Sequence, residues 1–422
     1  MSRIPDQRHF PAKNTSRQVS FPVVTRIRNA QRVSAFVDSV FAEMTRLSRL
    51  HNAVNLSQGF PDFEAPQAIK DAACTAIQAE QNQYAPPYGT VALRQAIASD
   101  VTRRYGVPVS ADDQVTVCCG STEAMMAVML SSIDPGDQVI VFEPFYENYG
   151  PGAIIAGAEP VYVRLHGPDW QFDPDDLARA FTNRTRAIVI NSPNNPTGKV
   201  FTRGELDVIA ALCRKWDVLA ISDEIYERIV YSGHAHVPIA SLPGMAERTV
   251  ITSGLSKTYS VTGWRIGWAI APPALTTGIR KIHDYLTVAA PTPFHDAAVA
   301  ALSLPDTYYL QLVADYQAKR DLMMDILGRH GFAGAAPSGA YYVMTDVSRF
   351  GYGSDVEFAQ HLVKEIGVAT VPGSSFYNHP ASAPQSLRFC FSKRDETLHE
   401  ADRRLARLQV ATDRNTAADL HR

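Results

Sequence analysis

The 422-residue sequence predicts an α/β protein: a mostly parallel central sheet with flanking helices, plus a smaller α+β domain. Three observations carry that prediction. From Gln114 to Ser222, short β-branched runs alternate with helical periods, the pattern of parallel strands joined by crossover helices. The first of these strands ends at Gly120-Ser121-Thr122-Glu123-Ala124, where a glycine and two hydroxyls open an apolar helix; free N–H groups and the helix dipole there make an anion site. Beyond Leu302 the alternation gives way to a long helix and scattered short strands.

Taken in order, Val37, Val40, Phe41, Met44 and Leu47 recur at helical spacing between Ser34 and Leu50. Gly59 and Pro61 then force a turn that exposes backbone, with Gly59 a candidate substrate contact. Gln83 to Gly89 is a rigid aromatic turn that leads into a helix from Val91 to Tyr105. After the strand Gln114 to Cys118 and a helix to Ile133 come the strand Val139 to Phe142, a broken helix Tyr146 to Ala156 and the strand Pro160 to Leu165. The helix Pro174 to Phe181, strand Arg186 to Asn191, helix Arg203 to Trp216 and strand Val218 to Ser222 complete the alternation. Helices Leu275 to Leu286 and Pro293 to Leu302 close the sheet region. A long helix, Thr307 to Arg329, leads to a strand region at Ser338 to Val343, a helix Ser354 to Ile366, short strands near Ala369 and Leu387, and a charged helix Glu396 to Leu408. The domain division this suggests is a flexible arm 1–33, a first part of the small domain 34–80, a large cofactor-binding domain 81–305, a second part of the small domain 306–410 and a disordered tail 411–422.

Composition narrows the partners. A net charge of -3 gives no basic field for nucleic acid, and no apolar run approaches the roughly 18 residues of a membrane span. Five scattered cysteines form neither a disulfide framework nor a metal-binding spacing, which suits a reducing, cytoplasmic setting. The arm is rich in arginine, but prolines at 5, 11 and 22 break any amphipathic targeting helix.

The chemistry centres on Ser253-Gly254-Leu255-Ser256-Lys257-Thr258-Tyr259. This stretch lies between the β-branched run Thr249 to Thr252 and the apolar run Trp268 to Ala271, so Lys257 belongs to a connection between strands rather than to a solvated helix. A lysine held near apolar walls loses its proton or finds a partner, and the neutral amine is a nucleophile toward carbonyls. Arg265, eight residues on, offers a guanidinium suited to phosphate. An amine for an aldehyde beside a phosphate anchor suggests pyridoxal 5'-phosphate, and the strand ends supply the remaining parts. Asp223 ends a buried strand and would keep the ring nitrogen protonated; Tyr226 and Asn195 would bond the ring hydroxyl; Tyr146 would stack on the ring. Gly120, Ser121, Thr122 and Arg265 would hold the phosphate, and Tyr341 would line the substrate side.

In combination, Asn194-Asn195-Pro196-Thr197-Gly198, Ser222-Asp223-Glu224-Ile225-Tyr226, Ser256-Lys257-Thr258-Tyr259 and Arg388-Phe389-Cys390-Phe391-Ser392 resemble a class I aminotransferase of the pyridoxal-phosphate fold type I superfamily. Gln58 to Phe63 and Glu143-Pro144-Phe145-Tyr146 are most similar to the kynurenine, glutamine and methionine aminotransferase branch. The resemblance implies that Arg388 binds the substrate α-carboxylate with its planar fork, alongside Gly59 and Asn195. It also implies a homodimer in which Tyr84 reaches the phosphate in the partner's site. Many relatives carry a phosphate-binding serine where this chain has Gly254, leaving Ser253 or Ser256 as substitutes. Small residues at Thr287 to Pro291 imply a neutral or bulky amino-acid side chain. The expected activity is ping-pong transfer of an amino group from an L-amino acid to a 2-oxo acid. The same apparatus can also run β-elimination, cyclisation or oxidation, whereas a regulatory role would need a DNA-binding extension for which the arm is too short and broken.

Overall fold

The computed structural model describes residues 28–36 and 39–408. Most of the expected arm and the expected tail 411–422 lie outside them. The chain runs α1 (Val40–Leu50), β1 (Val54–Asn55), α2 (Gln67–Gln78) and α3 (Val91–Tyr105). Next come β2 (Val115–Cys118), α4 (Ser121–Ser132), β3 (Gln138–Glu143), α5 (Tyr149–Ala156), β4 (Glu159–His166), β5 (Gln171–Phe172), α6 (Pro174–Ala180), β6 (Thr185–Asn191), α7 (Arg203–Trp216), β7 (Leu219–Asp223), β8 (Thr249–Gly254) and β9 (Gly267–Ile270). It continues through α8 (Pro273–Thr287), α9 (Pro293–Leu302), α10 (Asp306–Arg329), β10 (Tyr342–Asp346), α11 (Asp355–His361), β11 (Val368–Ala369), β12 (Val371–Pro372), β13 (Ser386–Cys390) and α12 (Asp395–Leu405).

Eight strands form one sheet in the order β2-β9-β8-β7-β6-β3-β4-β5. Strands β8, β7, β6, β3 and β4 pair in parallel, while β9 runs antiparallel to both β8 and β2. Helices cover both faces, so β6, β7 and β8 are almost entirely buried on both sides rather than on alternate residues. One face packs Val139, Val141, Val189 and Ile221 against Met125, Val128 and Ile279; the other packs Ile140, Ile188 and Ala220 against Leu206, Ile209 and Cys213 of α7. Helix α7 begins with a reciprocal capping box between Thr202 and Glu205, which satisfies two of its free N–H groups.

Two small sheets join distant parts of the chain: β1 pairs with β11, and β13 lies between β10 and β12. They share a core with α1, α10, α11 and α12 that also takes in Ile225, Tyr226, Ile229 and Tyr231 from the segment after β7. The C-terminal ends of β6, β7 and β8 therefore meet this second core, which is where open α/β sheets carry their sites.

Several elements depart from the sequence expectations. Helix α1 starts at Val40, with only a short 3₁₀ turn at Gln31–Ala35 before it. Helix α2 was not expected at all. The broken helix from Tyr146 starts instead at Tyr149, leaving Tyr146 in the preceding turn. Strand β10 begins at Tyr342, after a bend in which Ala340 has φ +54.

Candidate active site

A cavity of about 280 Å³ opens at the ends of β6, β7 and β8. Among its lining residues are Gly59, Ser121, Thr122, Tyr146, Asn195, Asp223, Tyr226, Ser256, Lys257, Arg265 and Arg388. Eleven of the fourteen residues singled out from the sequence thus meet in one place, although 331 residues separate Ser57 from Arg388 where they touch.

Lys257 lies in the turn after β8 and donates from Nζ to the Gly59 carbonyl at 2.9 Å. Burial, helped by the charges of Arg388 and Arg265, lowers its pKa to about 8. Asp223 is the last residue of β7. Burial raises its carboxyl to about 6, against hydrogen bonds from the Tyr149 hydroxyl at 2.7 Å and the Ile225 N–H at 3.2 Å. One cause thus moves an acid and a base into the range of near-neutral proton transfer.

Asn191, at the end of β6, braces the two neighbouring strand ends. Its Oδ1 accepts the Asn195 N–H at 2.7 Å and its Nδ2 donates to the Asp223 carbonyl at 3.0 Å. Arg388 on β13 is 1% exposed; Nη1 donates to Asn195 Oδ1 at 2.8 Å and Nη2 to the Ser57 carbonyl at 2.5 Å. The rings of Tyr342, Phe41 and Phe376 lie 4.2, 4.8 and 5.1 Å from its guanidinium carbon. Its Nε has no partner among the described residues, so a buried charged fork retains capacity for an anion. Tyr226 is buried, with its hydroxyl 2.9 Å from that of Tyr342.

The anion cradle is built by close approach. Gly120 has φ +82 and precedes α4 without supplying a side-chain cap, and a β-carbon there would collide with the Arg265 guanidinium. Arg265 is held by the Thr262 carbonyl at 3.0 Å and reaches toward the Cys119 carbonyl at 3.5 Å. Ser256 lines the cavity, whereas Ser253 points away and donates to the Glu224 carbonyl at 3.2 Å, which leaves Ser256 as the available hydroxyl.

Of the three expected residues outside the lining, Gly120 abuts it at Arg265 and the other two lie elsewhere. Tyr341 does not line the cavity: it is fully buried behind Gly59 and donates to that residue's carbonyl at 2.9 Å. The cavity wall is Tyr342, the first residue of β10. Tyr84 is 82% exposed and stands apart from this chain's own cavity. Of the cavity residues not singled out from the sequence, three bear on the chemistry. They are Tyr149, which holds Asp223; Tyr342; and Glu147, whose carboxylate accepts from Ser39 Oγ at 2.9 and 3.0 Å and whose pKa is raised by burial. Tyr149 follows Tyr146 by three residues, the only trace of its role in the sequence.

A carbonyl-seeking amine, a buried acid, a guanidinium-backed helix N-terminus and an aromatic wall fit pyridoxal phosphate: Lys257 for its aldehyde, Asp223 for its ring nitrogen, and Ser121, Thr122, Ser256 and Arg265 for its phosphate.

Comparison with known proteins agrees. Residues 51–405 match the family model for aminotransferase class I and II. A probable N-succinyldiaminopimelate aminotransferase of Mycobacterium tuberculosis is 40% identical over 386 residues, covering 89% of this chain and 97% of that protein. Human kynurenine–oxoglutarate transaminase 1 is 35% identical over 414 residues, covering 90% and 98%. The solved structure of the M. tuberculosis N-succinyldiaminopimelate aminotransferase superposes with a TM-score of 0.87 over 90% of this chain and 99% of that one. A structure of an Escherichia coli protein with methionine aminotransferase function also gives 0.87, at 34% identity, over 90% and 100%. The chain belongs to the class I and II aminotransferases, as a pyridoxal-phosphate-dependent enzyme of fold type I that moves amino groups between amino acids and 2-oxo acids.

Proposed function

We propose that the enzyme acts on L-amino acids with neutral or aromatic side chains, by ping-pong transfer, as a cytoplasmic homodimer. The observation that carries the substrate reading is the charge distribution of the cavity. Its cationic side chains are Arg265 at the phosphate cradle, Arg388 and Lys257, while the rest of the wall is neutral, with Phe41, Gln58, Tyr146 and Tyr342 among it, apart from the carboxylates of Asp223 and Glu147. An anionic side chain would meet Glu147 with no further cation among the lining residues. Acidic substrates, including the succinylated one named for the M. tuberculosis relative, are therefore disfavoured.

The roles follow from position. Arg388, already braced by Asn195 and Ser57, takes the substrate α-carboxylate, which fixes the Cα next to Lys257. Pyridoxal phosphate, when bound, supplies an aldehyde for amines and an electron sink for the carbon that bears them. Asp223 holds the proton on the ring nitrogen, and the Tyr149 hydroxyl keeps that carboxylate ionised and oriented. Tyr226 would offer its hydroxyl to the ring hydroxyl, and Tyr146 would stack on the ring. Lys257, with a pKa near 8, takes the proton from Cα and later returns it. The Gly59 carbonyl, which also accepts from Tyr341, holds the amine in place between transfers. Tyr84 is assigned to the partner's phosphate, which accounts for its exposure here.

Single-turnover screening tests this reading. Each amino acid is mixed with the loaded enzyme and the change in visible absorbance is followed. Methionine, glutamine, phenylalanine or kynurenine is expected to react at least tenfold faster than aspartate or glutamate, and faster reaction of the acidic pair would overturn the substrate reading.

A further inference from the structure

We propose that His283, as a doubly protonated imidazolium, is a positioning residue that clamps the first turn of α4 to the aromatic turn of residues 83–89 and so holds the anion cradle in shape. His283 lies on α8 with no exposed surface. Its Nε2 is 2.6 Å from the Pro87 carbonyl, and its Nδ1 is 3.0 and 3.1 Å from the two Glu123 oxygens. A carbonyl has only lone pairs to offer. Glu123 Oε2 already accepts the Cys119 N–H at 3.0 Å, so the carboxylate is acting as an acceptor there too. A neutral imidazole carries one N–H and would point a lone pair at an acceptor from its other end, inside a buried site where such a mismatch is costly. Two ring protons satisfy both ends.

The surroundings support the charged form. Burial opposes it, but Glu123, the Pro87 carbonyl and Asp284 outweigh burial and raise the pKa of His283. Cys118, which faces the pair from β2, is held neutral because burial pushes its thiol well up. Arg280, one turn earlier on α8, is committed to the Tyr88 ring at 4.2 Å and to the carbonyls of Asp112 and Val115. Thr287 Oγ1, at 3.2 Å from Nδ1, is the remaining polar neighbour.

The clamp acts on the cradle through Glu123. This residue sits in the first turn of α4, and by holding the Cys119 N–H it fixes the backbone entering Gly120, Ser121 and Thr122. At the other end, the Pro87 turn is pressed onto β2: Val117 donates its N–H to the Tyr88 carbonyl at 3.1 Å, and a β-carbon on Gly89 would strike the Val117 side chain. One imidazolium thus ties α8, the start of α4 and the turn that carries Tyr84.

The inference rests on the reading of Gly120–Thr122 as a phosphate cradle, and its test separates the two. In the full chain without cofactor, ¹⁵N-histidine NMR at pH 7.5 is expected to show both ring protons on His283; a singly protonated ring overturns the proposal. In His283→Gln, with the fold checked by circular dichroism, affinity for pyridoxal phosphate is expected to fall about tenfold, the scale of a lost charged hydrogen bond, while affinity for pyridoxal, which lacks the phosphate, changes less than twofold. Equal losses for both ligands, or no loss, would refute the role. In the wild type the ratio of the two affinities should fall as pH rises through the His283 titration, and a flat ratio would also refute it. This measurement decides the matter if the variant does not fold. A wild-type chain that binds neither ligand defeats the cofactor reading, and the NMR result still decides the protonation state.

Discussion

Lys257 and Asp223 are moved toward each other on the pH scale by the same cause, their removal from water. Without cofactor, Asp223 binds a proton in the folded chain between 3.8 and about 6 that the unfolded chain has already lost. Its favourable contribution is present below pH 3.8 and is lost as pH rises through 6. Asp223→Asn should therefore stabilise the cofactor-free chain at pH 7.5, by about 2–3 kcal/mol in urea unfolding, while lowering kcat at least a hundredfold once loaded. Lys257 has the opposite sign: the unfolded chain holds its proton longer, so between about pH 8 and 10.5 it adds a rising contribution to cofactor-free stability, and the wild-type profile should gain on that of Lys257→Ala across this range. The same variant should lose transamination by three orders of magnitude or more, measured as keto acid formed. Removing the Tyr149 hydroxyl in Tyr149→Phe takes away a bond that favours ionised Asp223, so the acid limb of the kcat/KM profile should shift upward with little change in Tm. Lys257, Asp223 and Arg388 were legible in the sequence because each is a charge in an apolar setting. Tyr149 was not, since an aromatic residue in an apolar helix reads as core. Tyr341 and Tyr342 are adjacent in sequence with opposite outlooks, and the period of two gives no sign of which one faces the cavity.

At the scale of elements, the cradle depends on a backbone shape as much as on any side chain. Gly120 combines φ +82 with contact against Arg265, so Gly120→Ala must strain the turn and displace the guanidinium at once. Affinity for pyridoxal phosphate, measured by equilibrium dialysis, should drop by ten- to a hundredfold. The ends of α3, α7 and α9 match their sequence patterns because glycine, a capping box and proline mark them. Helix α2 also carries apolar Ile69, Ala73 and Ala76 on one side, but alanines give a weak contrast with their polar neighbours. Helix α1 begins later than its periodicity suggests, at Val40, after Ser39 whose hydroxyl turns to Glu147 rather than to the helix. Such a tertiary contact leaves no mark on local spacing.

Across the whole molecule, Tyr84, Tyr88, Val91, Tyr285, Leu286 and Val288 are exposed on segments that adjoin the cradle. The proposed homodimer would draw on such side chains for its interface. Sedimentation is expected to give a mass of two chains, and Tyr84→Phe should weaken cofactor retention several-fold without dissociating the pair. Strands β3, β4, β6 and β7 were legible because a helix of contrasting period stands between each and the next. How the small sheets assemble was not, because β1 pairs with β11 and β13 with β10 and β12 across long stretches of chain. The carbonyls of Ser57 and Gly59 receive Arg388 and Lys257, so the pocket is stitched from segments made at very different times on the ribosome. A nascent polypeptide halted before β13 has emerged would carry the lysine yet lack the fork and the strand that seat the substrate, so the substrate side of the pocket is completed only at the end of synthesis.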